Sequence, residues 1–489
     1  MRVQGLIGPC IFSFARKACN GWSWKLVDTI ADFLTSIKNL LWSGPLLLLL
    51  LLTGVWLTVR LRGLQFRYLG HALALLFRPG CREEEGGAKQ PGELSSFQSL
   101  MTALAGAVGT GNITGIAVAI TLGGYGSLFW MWLVALFGMM TAYAECLLSV
   151  RYREIDSQGG VQGGPMVTLR QGLGMTRTSA LFAILCSLAA FGIGATVQSN
   201  SVASGFREVF GVPAWGSGMA MMLLTAVVVL GGVQSIGRVA GLLVPFMALL
   251  YLGAGSLVVL AHMDAVLPAF RLILLGAFSE QAVTGGIAGA GALAAIQHGV
   301  ANGVFANEAG LGSLPIAAAS ARTGEPARQG MLAICGVFLG TMVVCTVTGL
   351  VLAVTLIDGG VPDPSQVTGS VLTIMAFRSV HPFLEYVVVF GMAMFAFTTT
   401  LAWACYAEKC IAFLLGSLAV KVYRFIYVLA VFAGAVTDTH MIWVLANLAN
   451  GCMAFPNLIS VLRLTDVVIS ETRHYQKTLE LDSGGKNRG

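Results

Sequence analysis

Two glycine-rich stretches hold the residues best placed to do chemistry. The first, AGAVGTGNITG over residues 105–115, sets Gly106, Gly109, Gly111 and Gly115 around Thr110 and Asn112. The second, GGIAGAGALAAIQHGVANGVFANEAGLGS over residues 285–313, has a cluster around Gly299 and Gly303 and carries Gln297, Asn302 and Asn307. Glycine inside a helix costs up to about 1 kcal/mol relative to alanine, so both stretches are expected to unwind partway along an apolar span. A half-helix that begins near Thr110 or Gly111 offers free N–H groups and a positive dipole end to a carboxylate. The turn before it leaves the carbonyls of Ala105 and Val108 open to a cation. Close helix packing through small-x-x-x-small contacts uses glycine in the same way and is the alternative for either stretch taken singly.

Other candidates are weaker. Glu145 and Glu308 are the acids lying deepest in apolar spans, where a carboxylate is costly and therefore a functional candidate by default. Both sit toward the expected inward ends of their spans, which favours structural pairing or water access. The six histidines are scattered, and none lies at metal-ligand spacing with another; His298, inside the second glycine-rich stretch, is a candidate proton relay or a hydrogen-bonded core histidine. Trp130 and Trp132 read as interfacial anchors. Thr398, Thr399 and Thr400 read as threonines bonded back to their own helix. Ten cysteines, among them Cys146, Cys186, Cys335, Cys345 and Cys452, fall mostly in apolar stretches and read as small buried hydrophobes. No nucleophile–base pairing, phosphate loop or metal cluster supports an enzyme.

The elements that must position these residues are membrane spans. Of 489 residues, 56% are hydrophobic and 11% charged. Soluble domains average about 25% charged. The mean hydropathy is +0.79. Windows of about 18 to 25 apolar residues, enough to cross about 30 Å of hydrocarbon, fit at 43–61, 98–120, 125–150, 179–206, 216–233, 239–261, 286–308, 329–356, 382–405, 420–437 and 439–462. With the N-terminus outside, 21 of the 29 Lys and Arg fall in inward segments, and five of the other eight lie in the N-terminal extension. The bias predicts a cytoplasmic C-terminus, and it explains the net charge of +6 without nucleic acid.

Each glycine-rich span opens a set of five, 98–261 and 286–462. Five is odd, so the two sets run with opposite topology. Two discontinuous helices at matching positions of two inverted halves mark a secondary transporter, whose site lies between them near the bilayer midplane. An interrupted backbone is tolerated at that depth only where it lines a cavity.

Six ordered stretches, GAVGTGNITGIAVAITLGGYGSLFWMWLVALFGM, GATVQSNSVA, ANEAGLGSLPIAAASART, RQGMLAICGVFLGTMVVCTVTGLVL, FAFTTTLAWACYAEK and NGCMAFPNLISVL, resemble the signature motifs of the alanine or glycine:cation symporter family. The similarity runs from about residue 35 to residue 475. It implies a sodium-coupled, less often proton-coupled, importer of alanine and glycine with one helix preceding a five-plus-five inverted repeat. Matched position by position, Thr110, Gly111 and Asn112 would hold the substrate carboxylate. Gln198, Phe305 and Asn307 would also line the substrate site, and Trp403 would form an aromatic wall that limits side-chain size. The hydroxyls of Thr398 and Thr399 would complete a sodium site with the carbonyls of Ala105 and Val108. Against the family's usual pattern, Ala195 stands in place of Asn and Asn447 in place of Asp. The run Asn302-Gly303-Val304-Phe305-Ala306-Asn307-Glu308 replaces one closer to Arg-Gly-Leu-Phe-Ser-Asn-Glu.

The expectation is thus an all-α integral membrane protein of about eleven transmembrane helices with a LeuT-type inverted-repeat fold. An amphipathic extension over 1–40, a transporter domain over 41–465 and a cytoplasmic tail over 466–489 are expected, in a bacterial inner membrane. The expected partners are a small neutral amino acid, sodium or a proton, and the lipid bilayer. No cofactor and no nucleic acid are expected, and the chain is expected to be a monomer. Proton coupling through Glu308, Glu145 or His298 is the alternative within the fold, and a substrate-sensing receptor is the alternative outside it.

Overall fold

The computed structural model describes residues 32–42, 44–77, 92–155, 160–278, 291–361, 369–437 and 440–486. The expected N-terminal extension up to residue 31, the loop cations Arg78, Arg82 and Lys89, residues 286–290 of the expected seventh span and residues 487–489 of the tail lie outside them.

The described residues are almost wholly helical. A helical stretch over 32–42 leads to α1 (Pro45–Arg60), followed by α2 (Leu64–Phe77), α3 (Ser96–Ala107), α4 (Thr114–Gly123) and α5 (Ser127–Arg151). After a two-residue hairpin come α6 (Pro165–Leu173), α7 (Thr176–Phe210), α8 (Ala214–Leu230), α9 (Gly232–Ala261) and α10 (Met263–Gly276). The second half holds α11 (Ala292–Asn307), α12 (Leu314–Ala319), α13 (Pro326–Ile357), α14 (Ser370–Arg378), α15 (Pro382–Leu415), α16 (Ser417–Val436), α17 (His440–Arg463) and α18 (Thr465–Lys486).

Eight helices among the described residues are long and apolar enough to cross a membrane unaided. The other three expected spans are the 17-residue α8 and two spans broken into halves, α3–α4 and α11–α12. The core helices α5 and α15 are mostly buried, whereas on the peripheral α8, α9 and α16 side chains such as Val227, Leu242, Leu249 and Leu418 face outward. With apolar residues on both faces, these helices suit protein on one side and lipid on the other.

The inversion is visible in the packing. Gly330, near the start of α13, meets Tyr143 near the end of α5, and Gly349, toward the end of α13, meets Leu128 at the start of α5. The second spans of the two halves therefore run antiparallel. Each half also places a nine-residue helix, α6 or α14, between its second and third spans.

One expectation is corrected. The second glycine-rich span does not unwind at Gly299 and Gly303, since α11 runs unbroken through both and ends at Asn307. A Cβ on Gly299 would lie 2.4 Å from the Ser127 carbonyl oxygen, and one on Gly303 2.5 Å from Val134 Cγ1. These glycines bring α11 against α5, and the small-residue packing reading holds for them. The break falls at Glu308–Ser313, where Glu308, Gly310 and Gly312 all have positive φ (54°, 89° and 87°). Gly299→Ala should therefore behave as a packing defect. We expect a melting temperature lowered by several degrees in detergent, with the half-saturation of any surviving uptake unchanged. An unchanged melting temperature with a slowed maximal rate would instead make Gly299 a hinge.

Candidate functional site

The first break begins with a diverted hydrogen bond. In an uninterrupted helix the Gly109 N–H would donate to the Ala105 carbonyl. Here it donates to Asn112 Oδ1 (3.0 Å), and the Ala105 carbonyl instead accepts from Thr399 Oγ1 of α15 (2.8 Å). Gly109 makes room for this, because a Cβ there would lie 2.5 Å from Thr399 Oγ1. A short 3-10 turn, Thr110–Asn112, then leads into α4, so the carbonyl end of α3 and the positive end of α4 face one region.

Asn112 is fully buried and spends its amide on structure, donating to Gly340 O (3.2 Å), Ala306 O (3.5 Å) and Cys345 Sγ (3.2 Å). Two of these partners, Gly340 and Cys345, belong to a π-helical segment of α13, Phe338–Cys345. Asn112 thus ties the first break to the end of α11 and to α13. Asn307 plays the matching part in the second break, where its Oδ1 accepts from the Ala309 N–H (3.0 Å). Neither side chain lines the inner cavity or the vestibule described below, although Asn307 borders a further small cavity between α3 and α12.

The inner cavity is bounded by Gly109, Gly111, Gln198, Phe305, Glu308, Thr399, Trp403 and Asn450, with Ile193 and Leu311 closing its apolar side. Its free space of about 10 Å³ holds one water at most. Thr110 Oγ1 donates to Gln198 Oε1 (2.9 Å), and Gln198 Nε2 donates to the Ile193 carbonyl (3.1 Å) within the π-helical segment Ala190–Thr196 of α7. π-bulges often mark functional sites because they leave a carbonyl off the helical ladder. Trp403 forms one wall. Its Nε1 donates to Glu308 Oε1 (3.0 Å), and Ser313 Oγ donates to Glu308 Oε2 (2.6 Å), so the carboxylate is held in place at the second break.

Above Gly111 and Phe305, which line both spaces, a vestibule of about 360 Å³ opens between Lys38, Trp42, Thr114, Val118, Ser201, Asn302 and Asn447. It lies toward the end of the bundle away from Arg60, Arg151, Lys409 and Arg424. That basic end is tied by Lys409 to Glu93 (2.7 Å) and by Arg424 to Glu408 (2.6 Å).

The structure thus gathers Thr110, Gly111, Gln198, Phe305, Trp403, Thr399 and the Ala105 carbonyl, turns Asn112 to bracing, and engages Asn307 through its Oδ1 while its Nδ2 has no partner among the described residues. Val108 caps α3, and its N–H donates to Leu104 O (2.6 Å). Of the three consecutive threonines, Thr398 donates to Met394 O (3.0 Å) and Phe395 O (3.1 Å), and Thr400 to Ala396 O (2.9 Å), both in their own helix. Thr398 also touches Met247 Sδ of α9 (3.5 Å), and of the three only Thr399 reaches α3. The departures also separate: Ala195 is buried in the π-helical segment, and Asn447 lines the vestibule rather than the inner cavity.

A profile of the sodium:alanine symporter family matches residues 27–487. The chain belongs to the sodium:alanine symporter family. It is 43% identical over 457 residues to an uncharacterized transporter of Haemophilus influenzae, covering 93% of this chain and 98% of that one. It is 42% identical over 450 residues to the sodium/alanine symporter AgcS of Methanococcus maripaludis, covering 91% and 97%. A crystal structure of MhsT in complex with L-phenylalanine superposes with a TM-score of 0.53 at 14% identity, covering 78% of this chain and 98% of that one, which shows the LeuT-type fold. As a sodium:alanine symporter family member the chain is a sodium-coupled amino-acid symporter of the membrane and not an enzyme.

Glu308 and Asn450 are polar residues of the inner cavity that the sequence reading does not place at the substrate position. Glu308 reads from the sequence as a paired or water-accessible acid, or as a proton carrier, and it faces the inner cavity with 3% exposure. The available signal was its place one residue beyond an apolar helix and just before two glycines. Asn450, whose buried Oδ1 has no partner among the described residues, gave no such signal beyond lying in a matched motif. Glu145 follows the structural expectation. Asn457 donates to its carboxylate and to the Gly310 carbonyl (2.9 Å), pinning α5 and α17 to the second break. His298 is half-buried, and its carbonyl accepts from Asn302 Nδ2 (2.8 Å). Trp130 and Trp132 donate into the protein, to Ala277 O (3.1 Å) and Thr346 Oγ1 (2.7 Å).

Proposed function

We propose that this protein imports alanine or glycine together with sodium by alternating access. The observation that carries the reading is the meeting of Thr399 Oγ1 with the diverted Ala105 carbonyl, 2.8 Å apart, at the edge of a small cavity between two broken helices. Sodium is a hard cation well matched to neutral oxygens, and the Thr399 hydroxyl can turn its proton away and present a lone pair. Val108 and Thr398 are proposed as the further ligands. The substrate carboxylate sits at the start of α4, beside Thr110 and Gly111, where the helix dipole favours an anion. The ammonium faces Glu308 and Asn450 Oδ1, and the inner cavity, with about 10 Å³ free, must widen between Gln198, Phe305 and Trp403 to take even a small amino acid.

The vestibule gives access from one side while the ion pairs of the basic end close the other, which suits an outward-facing state of a protein in the bacterial inner membrane with a cytoplasmic C-terminus. In proteoliposomes, labelled alanine or glycine should accumulate under an inward sodium gradient and exchange in counterflow. Uptake that persists when choline replaces sodium at constant pH, and that collapses with an uncoupler, would replace sodium by protons. Binding without counterflow would point to a receptor.

A further inference from the structure

We propose that α2 is an interfacial helix that binds the headgroups of anionic phospholipids through Arg62 and Arg67, with Phe66 and Phe77 sunk into the acyl layer beside them.

The helix owes its depth to α1. The outward side of α1 carries Leu48, Leu52, Trp56 and Val59, all exposed, and the helix ends at Arg60, whose guanidinium lies over the Trp56 ring (5.3 Å to its centre). An apolar span that finishes on a tryptophan and an arginine has reached the headgroup level. The chain then turns through Arg62 and Gly63, both left-handed (φ 54° and 64°), and α2 starts at Leu64. Its 14 residues make about 21 Å, too short to cross about 30 Å of hydrocarbon. It packs on the start of α13, another span, which keeps it at that level.

The two faces of α2 differ. Leu64, Gln65, Ala72, Leu75 and Leu76 are buried. On the other side Phe66 and Phe77, three helical turns apart and so in line, are 62% and 85% exposed, with Gly70 exposed between them. This strip continues the lipid-facing side of α1, where acyl chains cover it. Arg67 stands about 100° round the helix from Phe66, on the flank of the strip, and Arg62 stands at its entry. Arg60 is paired with Asp466 (2.6 Å), whereas Arg62 and Arg67 are exposed and have no carboxylate partner among the described residues. The Arg67 guanidinium rests over the Tyr68 ring (5.7 Å to its centre), still on α2. No Asp or Glu occurs in the sequence from Phe33 to Arg82, so the partner that complements this stretch is anionic. Guanidinium groups take phosphate oxygens in pairs, and an anionic leaflet supplies those oxygens at the depth where the phenylalanines enter. Because the buried face of α2 holds the start of α13, anchoring α2 steadies the bundle.

The test titrates the full chain in neutral detergent with phosphatidylglycerol or phosphatidylcholine and follows the melting temperature. Phosphatidylglycerol should raise it by several degrees and phosphatidylcholine by clearly less. Arg62→Gln and Arg67→Gln should each increase the phosphatidylglycerol needed for half the rise by about 5-fold, and the double variant by their product. The double Arg62→Lys/Arg67→Lys variant should stay within about 2-fold of the parent, because the charge is kept. Phe66→Ser/Phe77→Ser should weaken the response to both lipids. Equal stabilisation by the two lipids, or a parent-like phosphatidylglycerol response in the double glutamine variant, overturns the proposal. Glycerol phosphate, the headgroup chemistry without chains, should give no rise; a rise matching that of phosphatidylglycerol would make this a soluble-anion site and overturn it as well.

Discussion

Thr399→Val is expected to abolish sodium-driven accumulation of alanine while leaving the protein folded. Valine keeps the branched shape that packs against α3 but removes the one of three adjacent threonine hydroxyls that reaches the broken helix. A cation at this point would lose a direct oxygen ligand, and the Ala105 carbonyl would lose the donor that now satisfies it. The sodium half-saturation should rise by more than about tenfold, which corresponds to about 1.4 kcal/mol. Thr399→Ser, which keeps the oxygen, should stay close to the parent. Gly109→Ala should mimic Thr399→Val with the threonine intact, because its Cβ would fall 2.5 Å from Thr399 Oγ1 and push the hydroxyl away from Ala105. Thr400→Val is the control, since that hydroxyl is spent on Ala396 O. Flux measured against sodium concentration decides the matter, and a parent-like sodium dependence in Thr399→Val would remove Thr399 from the cation site.

Glu308→Gln is the second substitution with a large expected effect. The carboxylate is almost fully buried, lines the inner cavity and is held by Trp403 Nε1 and Ser313 Oγ. Glutamine keeps the length, its Oε1 can accept from Trp403 Nε1 and its Nε2 can donate to a turned Ser313 hydroxyl, so the second break should retain its shape. What it loses is the charge facing the proposed ammonium position. Removing one partner of a buried charge pair costs about 2 to 5 kcal/mol, so alanine affinity should fall by about 30-fold or more. Equilibrium binding of labelled alanine to the detergent-solubilised protein, with a melting curve alongside, separates this from unfolding. A Glu308→Gln protein that binds alanine normally would restrict Glu308 to shaping the turn. Trp403→Phe, which removes the indole donor but keeps an aromatic wall, should weaken binding in the same direction and by less.

Much of this architecture was legible in the residues. Lipid demands long apolar helices with internally satisfied backbones, so span number, span position and the oppositely oriented halves could be counted from hydropathy and charge. The first break was also legible, because AGAVGTGNITG crowds helix-breaking glycines around two polar residues in an otherwise apolar span. The second break was misplaced by several residues. Glycine composition reports where a side chain is missing but not why. At Gly299 and Gly303 the reason is the backbone and side chains of α5, and at Gly310 and Gly312 it is a left-handed turn. The motif match brings Asn112 and Asn307 to the substrate site by position alone; the Asn112 amide is occupied in bracing the breaks, whereas Asn307 uses its Oδ1 there and leaves its buried Nδ2 without a partner among the described residues.

What the sequence by itself determined is therefore the membrane fold, the two interrupted spans and the family, since these depend on composition and order along the chain. Which side chains share a cavity was decided only by the tertiary structure. Thr399 rather than Thr398 or Thr400 crosses to α3 because about 100° of rotation per residue lets one of the three face the broken helix. Glu308 enters the pocket because its left-handed backbone turns the chain there, and Trp403 meets it from a helix 95 residues away. Such meetings depend on how helices rotate and pack against one another, and no local pattern in the chain records that.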